Sequence, residues 1–121
     1  MTYESVKEVE SKIAPEVRFR VARMSFARRV ELMRQVRELA RRMEFLEAGQ
    51  EPGEKMEAAL VQAEVDRLYL KWGLMEVSGL EVDGAPATPA VLADSGPEDL
   101  FREALAAVKA ETGLSGAERK N

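Results

Sequence analysis

The fold is decided by residues 25–72, SFARRVELMRQVRELARRMEFLEAGQEPGEKMEAALVQAEVDRLYLKW, two amphipathic segments joined by the turn AGQEPG at 48–53. In the first segment, Ser25 is a candidate N-cap and Gly49 a candidate left-handed residue after the helix. Between them, apolar residues recur at spacings of four and three, which places them on one helical stripe. The stripe consists of Leu32, Val36, Leu39, Met43 and Leu46. Because isolated helices are marginal in water, this stripe must pack against another element.

The second segment predicts that element, a helix that starts at Pro52 and ends at Gly73. It is apolar on two sides. One stripe consists of Ala58, Val61, Val65, Leu68 and Trp72, and the other of Met56, Ala59, Ala63 and Leu70. We predict that the first stripe packs against the first helix in an antiparallel αα-hairpin. The second is expected to pack against the C-terminal helix or another chain, and its residues are the candidate partner-binding residues.

Short β elements flank the hairpin. Residues 17–24 alternate apolar and basic residues, which predicts a half-buried strand, and residues 74–82 form short extended pieces interrupted by Gly79. Asp83-Gly84 is typical of a tight turn, and Pro97 opens a helix that ends at Gly113. We predict a mainly α (α+β) fold: the hairpin, a C-terminal helix, and a small antiparallel β-sheet from residues about 17–24 and 74–82.

The domain organisation follows from the same patterns. Residues 1–16 have no clear period and contain Pro15, so we expect an N-terminal arm. Residues 17–121 are predicted to form a single helical domain with a small sheet, in keeping with the total of 121 residues. The tail from Leu114 to Asn121 is expected to form a last capped turn at Ser115.

Composition excludes several classes of chemistry. The chain contains no cysteine and no histidine, so disulfides, thiolate catalysis and the commonest metal ligand are absent. We expect neither a cofactor nor a metal. No apolar run approaches a membrane span, and the N-terminus lacks the features of a signal peptide, so a cytoplasmic location is expected.

Charge is unevenly distributed along the chain. Residues 1–50 hold eleven Lys/Arg and eight Asp/Glu, a net +3, and residues 51–121 hold seven and fourteen, a net −7. This asymmetry suggests complementary self-association or a partner that meets one end, although a solvated amphipathic surface is the simpler interpretation.

A row of arginines, Arg34, Arg37 and Arg41, lies opposite the apolar stripe of the first helix. With Phe45 beside it, such a row is compatible with a nucleic-acid surface. Glutamates three or four residues away and the net charge of −4 favour a solvated or protein-binding face instead.

The acidic residues nearest to a paired catalytic site are Glu81 and Asp83, two positions apart beside the predicted turn. Without a histidine, a lysine or a second acidic cluster at fixed spacing, two solvent-facing acids are the favoured interpretation. No phosphate-binding glycine loop is present. Trp72 is compatible with an interaction hot spot, but its spacing from Leu68 and Val65 favours the core.

Several short pieces occur in an order that resembles a known family. They are Trp72-Gly73-Leu74, the GLEVDG run at 79–84, the PATP run at 86–89, the GPEDL run at 96–100 and the ERKN run at 118–121. From about Val17 to the end, the chain resembles tail-assembly-chaperone-like proteins of phage and prophage tail gene clusters. The resemblance implies a non-enzymatic protein of the host cytoplasm that binds tail components, of the tape measure or tail tube class, during virion assembly. It implies no site residues.

Two other functions remain open at the level of sequence. One is a structural virion component or self-assembling subunit, which would form a fixed oligomer. The other is a small regulatory protein that binds nucleic acid through the arginine row, and we rank it lower. An enzyme is the least favoured class.

Overall fold

The computed structural model describes residues 1–49 and 51–113. Five strands and four helices follow one another along this part of the chain. They are β1 (Val6–Glu10), β2 (Arg18–Ala22), α1 (Phe26–Glu47), α2 (Pro52–Gly73), β3 (Leu74–Ser78), β4 (Glu81–Val82), β5 (Ala85–Pro86), α3 (Pro89–Ser95) and α4 (Glu98–Glu111). The predicted α+β architecture is confirmed: α1 and α2 pack as a hairpin beside a small antiparallel sheet and a C-terminal helix. The turn expected at Ser115 lies outside the described residues.

The sheet has the order β1-β2-β3, and both pairs of neighbouring strands are antiparallel. Its central strand shows the predicted alternation, since Phe19 and Val21 are fully buried while Arg18 and Arg20 are exposed. One face of the sheet therefore packs on the helices and the other carries charge, as expected for a short antiparallel sheet.

The structure corrects the prediction that residues 1–16 form an N-terminal arm. Residues 6–10 form β1, an edge strand in register with β2 from Val6 opposite Ala22 to Glu10 opposite Arg18. Its sequence VKEVE carries only two apolar residues, and both are half-buried. An edge strand gains most of its stability from backbone pairing, and its side chains show little periodicity. The paired residues are 8 to 16 positions apart in sequence, so local patterns do not predict the pairing.

The extended segment at 74–82, predicted to join one sheet, is divided between two sheets. Residues 74–78 join the sheet as β3, whereas Glu81–Val82 pairs with Ala85–Pro86 in a separate two-stranded ribbon. The turn between β4 and β5 is confirmed at Asp83-Gly84, where φ is 52° and 82°. Positive φ at both central residues is the geometry that a two-residue hairpin favours.

The hairpin begins where the sequence predicts it. Ser25 Oγ accepts a hydrogen bond from the backbone N–H of Arg28 at 3.2 Å, and Pro52 occupies the first turn of α2. Gly49 does not adopt the predicted left-handed conformation, because the C-cap of α1 is Ala48 and the positive-φ glycines are Gly79, Gly84 and Gly113. The glycine that ends α2, Gly73, is needed for space, since a Cβ there would overlap the side chain of Val108.

The main core lies between the sheet, α3, α4 and the base of the hairpin. From the hairpin it takes Leu32, Leu70 and Trp72, together with the partly buried Val36 and Leu68. Further out, Leu39, Met43 and Leu46 follow the predicted stripe of α1 but are only half-buried. At about 1.5 Å per residue, each helix is roughly 33 Å long, so its outer half projects beyond the core and is covered only by the other helix.

A buried carboxylate joins α2 to α4. Asp66 accepts from Arg102 Nη1 at 3.1 Å, from Lys109 Nζ at 3.2 Å and from Gln62 Nε2 at 3.0 Å. A second connection ties the loop after β1 to α4, where Ser11 Oγ donates to Glu103 Oε1 at 2.5 Å. These contacts position α4 beside the inner half of α2.

Replacing Asp66 with alanine is expected to lower the free energy of unfolding by about 1–3 kcal/mol, because three hydrogen bonds are lost, two of them to charged groups. The control is Glu64→Ala on the same helix, whose side chain makes only a half-exposed ion pair with Arg42 among the described residues. Its cost should stay below about 0.5 kcal/mol. Urea denaturation measures both values, and equal costs would contradict the role given to Asp66.

Candidate partner-binding surface on the helical hairpin

No group of three or more Asp and Glu side chains that could hold a metal ion occurs in residues 1–49 and 51–113. Glu81 and Asp83, the sequence candidates for a paired acidic site, are exposed on the β4–β5 ribbon. Among the described residues, they therefore belong to no group of three or more acidic side chains that could hold a metal ion.

The candidate partner-binding residues separate into two groups. Met56, Ala59 and Ala63 are exposed on the outer half of α2, and Met56 retains 70% of its accessible surface. Leu70 is fully buried, at 0% exposure, in the same apolar cluster as strand residues Phe19 and Val77. Leu70 is therefore removed from the candidate surface, because no second chain reaches it in this fold.

Leu60 belongs to this surface, although the sequence stripes omit it. It is 56% exposed and follows Met56 by four residues, with Ala63 three residues further on. That spacing of four and three places the three side chains on one line of a helix. We name the group formed by Met56, Ala59, Leu60 and Ala63 the α2 seam.

The α2 seam is uncovered because α4 lies beside the other half of α2. The ion pairs that join α2 to α3 and α4 within the described residues are made by Asp66, with Arg102 and Lys109, and by Arg67, with Asp94. Residues that precede Asp66 on the same side of α2 extend past these contacts. An apolar line on a projecting helix is thus left to solvent, which is typical of a binding site for another protein.

Charged residues border the seam and change sign along it. Glu57 and Glu64 lie on one side, 3.9 and 3.7 Å from the guanidinium of Arg42 on α1. Closer to the core, Arg67 and Lys71 are exposed on the same helix. Exposed acidic residues therefore predominate along α2 as far as Glu64, and the exposed charged residues that follow are basic.

The outward face of α1 carries both apolar and basic side chains. Phe26, Val30 and Met33 are exposed near its start. The predicted arginine row, Arg34, Arg37 and Arg41, is also exposed, and none of the three forms an ion pair with a residue in 1–49 or 51–113. The row is exposed, as a solvated, a protein-binding or a nucleic-acid-binding face would be, and the choice among these stays a prediction.

A groove of about 450 Å³ lies between the helices at the base of the hairpin, with Leu68 and Trp72 among its lining residues. The guanidinium of Arg28 is 4.5 Å from the centroid of the Trp72 ring and donates to the Trp72 carbonyl oxygen. Such stacking stabilises the start of α1 against the end of α2. Trp72 is buried in the core, as its spacing indicates, and is not part of an exposed hot spot.

Across the residues described, none of the helices is both long enough and apolar enough to cross a membrane. No protein-family model, curated protein or solved structure matches this chain.

Proposed function

We infer that this protein is a non-enzymatic assembly chaperone or adaptor that binds another protein through the α2 seam. The observation that carries the proposal is the exposed apolar line of Met56, Leu60 and Ala63 on a helix that projects beyond the core. Exposed, aligned apolar side chains on a soluble protein usually mark a partner site. A helix face of this kind accepts a second helix or an apolar groove.

The class of partner comes from the family resemblance. By that resemblance, the partner is a phage tail component of the tape measure or tail tube class, and this protein holds it during virion assembly. The change from acidic to basic along α2 supports a directional encounter, because complementary charges orient a partner before apolar contact forms.

The proposal predicts that two substitutions in the seam weaken the complex. Met56→Asp and Leu60→Asp should each raise the Kd for the tail component about tenfold or more, since each places a charge in an apolar contact. Both positions are exposed, so the melting temperature should change little. The measurement is titration calorimetry with the tape measure and tail tube proteins encoded in the same gene cluster.

Met75→Asp is the matched control for this experiment. Met75 is 49% exposed and lies on β3, two residues beyond the end of α2 and outside the α2 seam. Its substitution should leave the Kd unchanged. Equal losses at Met56, Leu60 and Met75 would contradict binding by the seam.

A second candidate, nucleic-acid binding, is favoured by one observation, the exposed arginine row of α1 without ion pairs in the described residues. The interleaved Glu38 and Glu44 and the net charge of −4 oppose it. If the protein captured neither tail component but bound duplex DNA tightly at physiological salt through Arg34, Arg37 and Arg41, the nucleic-acid function would replace the adaptor function.

A further inference from the structure

We propose that the α2 seam also binds a second copy of this chain, as a two-fold symmetric pair of antiparallel α2 helices. This pairing covers the seam when no partner is present. The pairing itself stands on the geometry and charge of the seam. Its role as a cover for the partner site rests on the proposed function.

The apolar spacing fits helix pairing. Met56, Leu60, Ala63 and Arg67 follow one another at intervals of four, three and four residues, which is the repeat of a helix–helix seam. In a two-fold interface, a contact from residue i to residue j is repeated from j to i. Setting Leu60 opposite Ala63 of the second copy therefore places a large side chain against a small one twice.

The same alignment gives Met56 a place to pack. Met56 then lies opposite Arg67 of the second copy, beside a notch of about 190 Å³ at the junction of α2 with α3 and α4. Ala63, Ala93 and Phe101 contribute its apolar lining, and Asp66, Arg67 and Arg102 its charged lining. Methionine is unbranched and adapts to irregular gaps, so its side chain suits the apolar part of this notch.

Charge selects the antiparallel direction. The outer end of α2 carries Glu51, Glu54 and Glu57 against one lysine, Lys55, whereas the inner end carries Arg67 and Lys71. Antiparallel alignment sets the acidic end of each copy against the basic end of the other. Because Glu57 and Glu64 lie on the same side of the seam, it brings Glu57 near both Arg67 and Glu64 of the second copy. Parallel alignment would set like charges together, which is unfavourable.

Both charged residues are available for this exchange. The side chains of Glu57 and Arg67 are 52% and 48% exposed, and their present ion pairs, with Arg42 and Asp94, lie at the surface. Surface ion pairs are weak, so new contacts across the interface replace them at little cost. Because each copy contributes a short seam, the dimer interface should be small in area and the association reversible.

The first test is sedimentation velocity over a range of protein concentrations. The wild-type chain should shift from monomer to dimer as the concentration rises, and Leu60→Asp should remain monomeric over the same range. Met33→Asp is the matched control, since Met33 is 62% exposed on α1 and lies outside the seam. It should dimerise like the wild type. A wild-type chain that stays monomeric throughout, or equal loss in both variants, would overturn the pairing.

The second test is a charge exchange at low ionic strength, where surface charges are least screened. Arg67→Glu should raise the dimer dissociation constant about tenfold, because it sets a carboxylate against Glu57 and Glu64 of the second copy and symmetry makes this contact twice. Adding Glu57→Arg to this variant should return the constant close to the wild-type value, because the new guanidinium faces both carboxylates. Circular dichroism melts control for folding. A double variant as weak as Arg67→Glu alone would overturn the antiparallel register.

The outcomes separate this inference from the proposed function. A monomer that captures a tail component overturns the pairing alone. A dimer that captures none overturns the adaptor function and the cover role, while it supports the pairing. If the added tail component converts the dimer into a complex with one copy of this chain, the cover role is supported. A complex that retains the α2 pairing overturns the cover role.

Discussion

Replacing Leu70 with aspartate is expected to unfold the domain. Leu70 is fully buried among apolar residues of the sheet and helices. A carboxylate there loses its hydration without an equivalent replacement, and the apolar contacts of the leucine are lost as well. We expect a loss of about 4 kcal/mol or more, which is comparable with the total stability of many small domains. The milder Leu70→Ala should cost about 2–5 kcal/mol.

Circular dichroism and urea denaturation of the purified variants measure these losses. Met56→Asp is the control, because it introduces the same charge on the same helix at an exposed position. Its midpoint of unfolding should stay near that of the wild type. A Leu70→Asp variant that kept a cooperative transition near the wild-type midpoint, and lost only partner binding, would return Leu70 to the binding surface.

Gly79→Ala is the second substitution expected to have a large effect. Gly79 has φ of 79° and follows β3, and a Cβ built on it would overlap the carbonyl oxygen of Glu16. A left-handed backbone costs a non-glycine residue about 1–2 kcal/mol. The overlap adds to this cost, because the obstructing atom belongs to the backbone of the loop before β2. We expect a total of about 3 kcal/mol or more.

Gly84→Ala separates the two contributions to the cost at Gly79, the left-handed backbone and the overlap with Glu16. Gly84 has nearly the same φ, 82°, but no heavy atom lies within 4 Å of a Cβ built there. Its substitution should cost only the conformational part, about 1–2 kcal/mol. The difference between the two midpoints of urea unfolding then reports the close approach at Gly79. Equal losses would mean that the loop at Glu16 moves away without cost.

Local patterns predicted much of the hairpin correctly. Ser25 caps α1, Pro52 opens α2, and the least exposed apolar residues of α1 are those of the predicted stripe. These features depend on helical periodicity and on the backbone groups left free at helix ends, and both act within a few residues. The strand at 17–24 was predicted because the alternation of apolar and basic residues is likewise a local pattern.

The candidate surface was predicted only in part. Leu70 and Met56 lie on the same side of α2, so periodicity assigned them to one stripe. Leu60 lies at the edge of that stripe and was left out, although its spacing from Met56 and Ala63 was a usable signal. Asp66 was also missed as a buried carboxylate, because its partners Arg102 and Lys109 lie 36 and 43 residues away.

The sequence by itself determined that the two hairpin segments and the C-terminal segment are helical, where these helices begin, and which of their sides are apolar. Only the tertiary structure decided which apolar side is covered and over what length. Helix periodicity is a local property, whereas burial depends on where α4 lies, and α4 is positioned by Asp66, Gly73 and the sheet. For that reason one stripe of α2 is core at Leu70 and exposed at Met56.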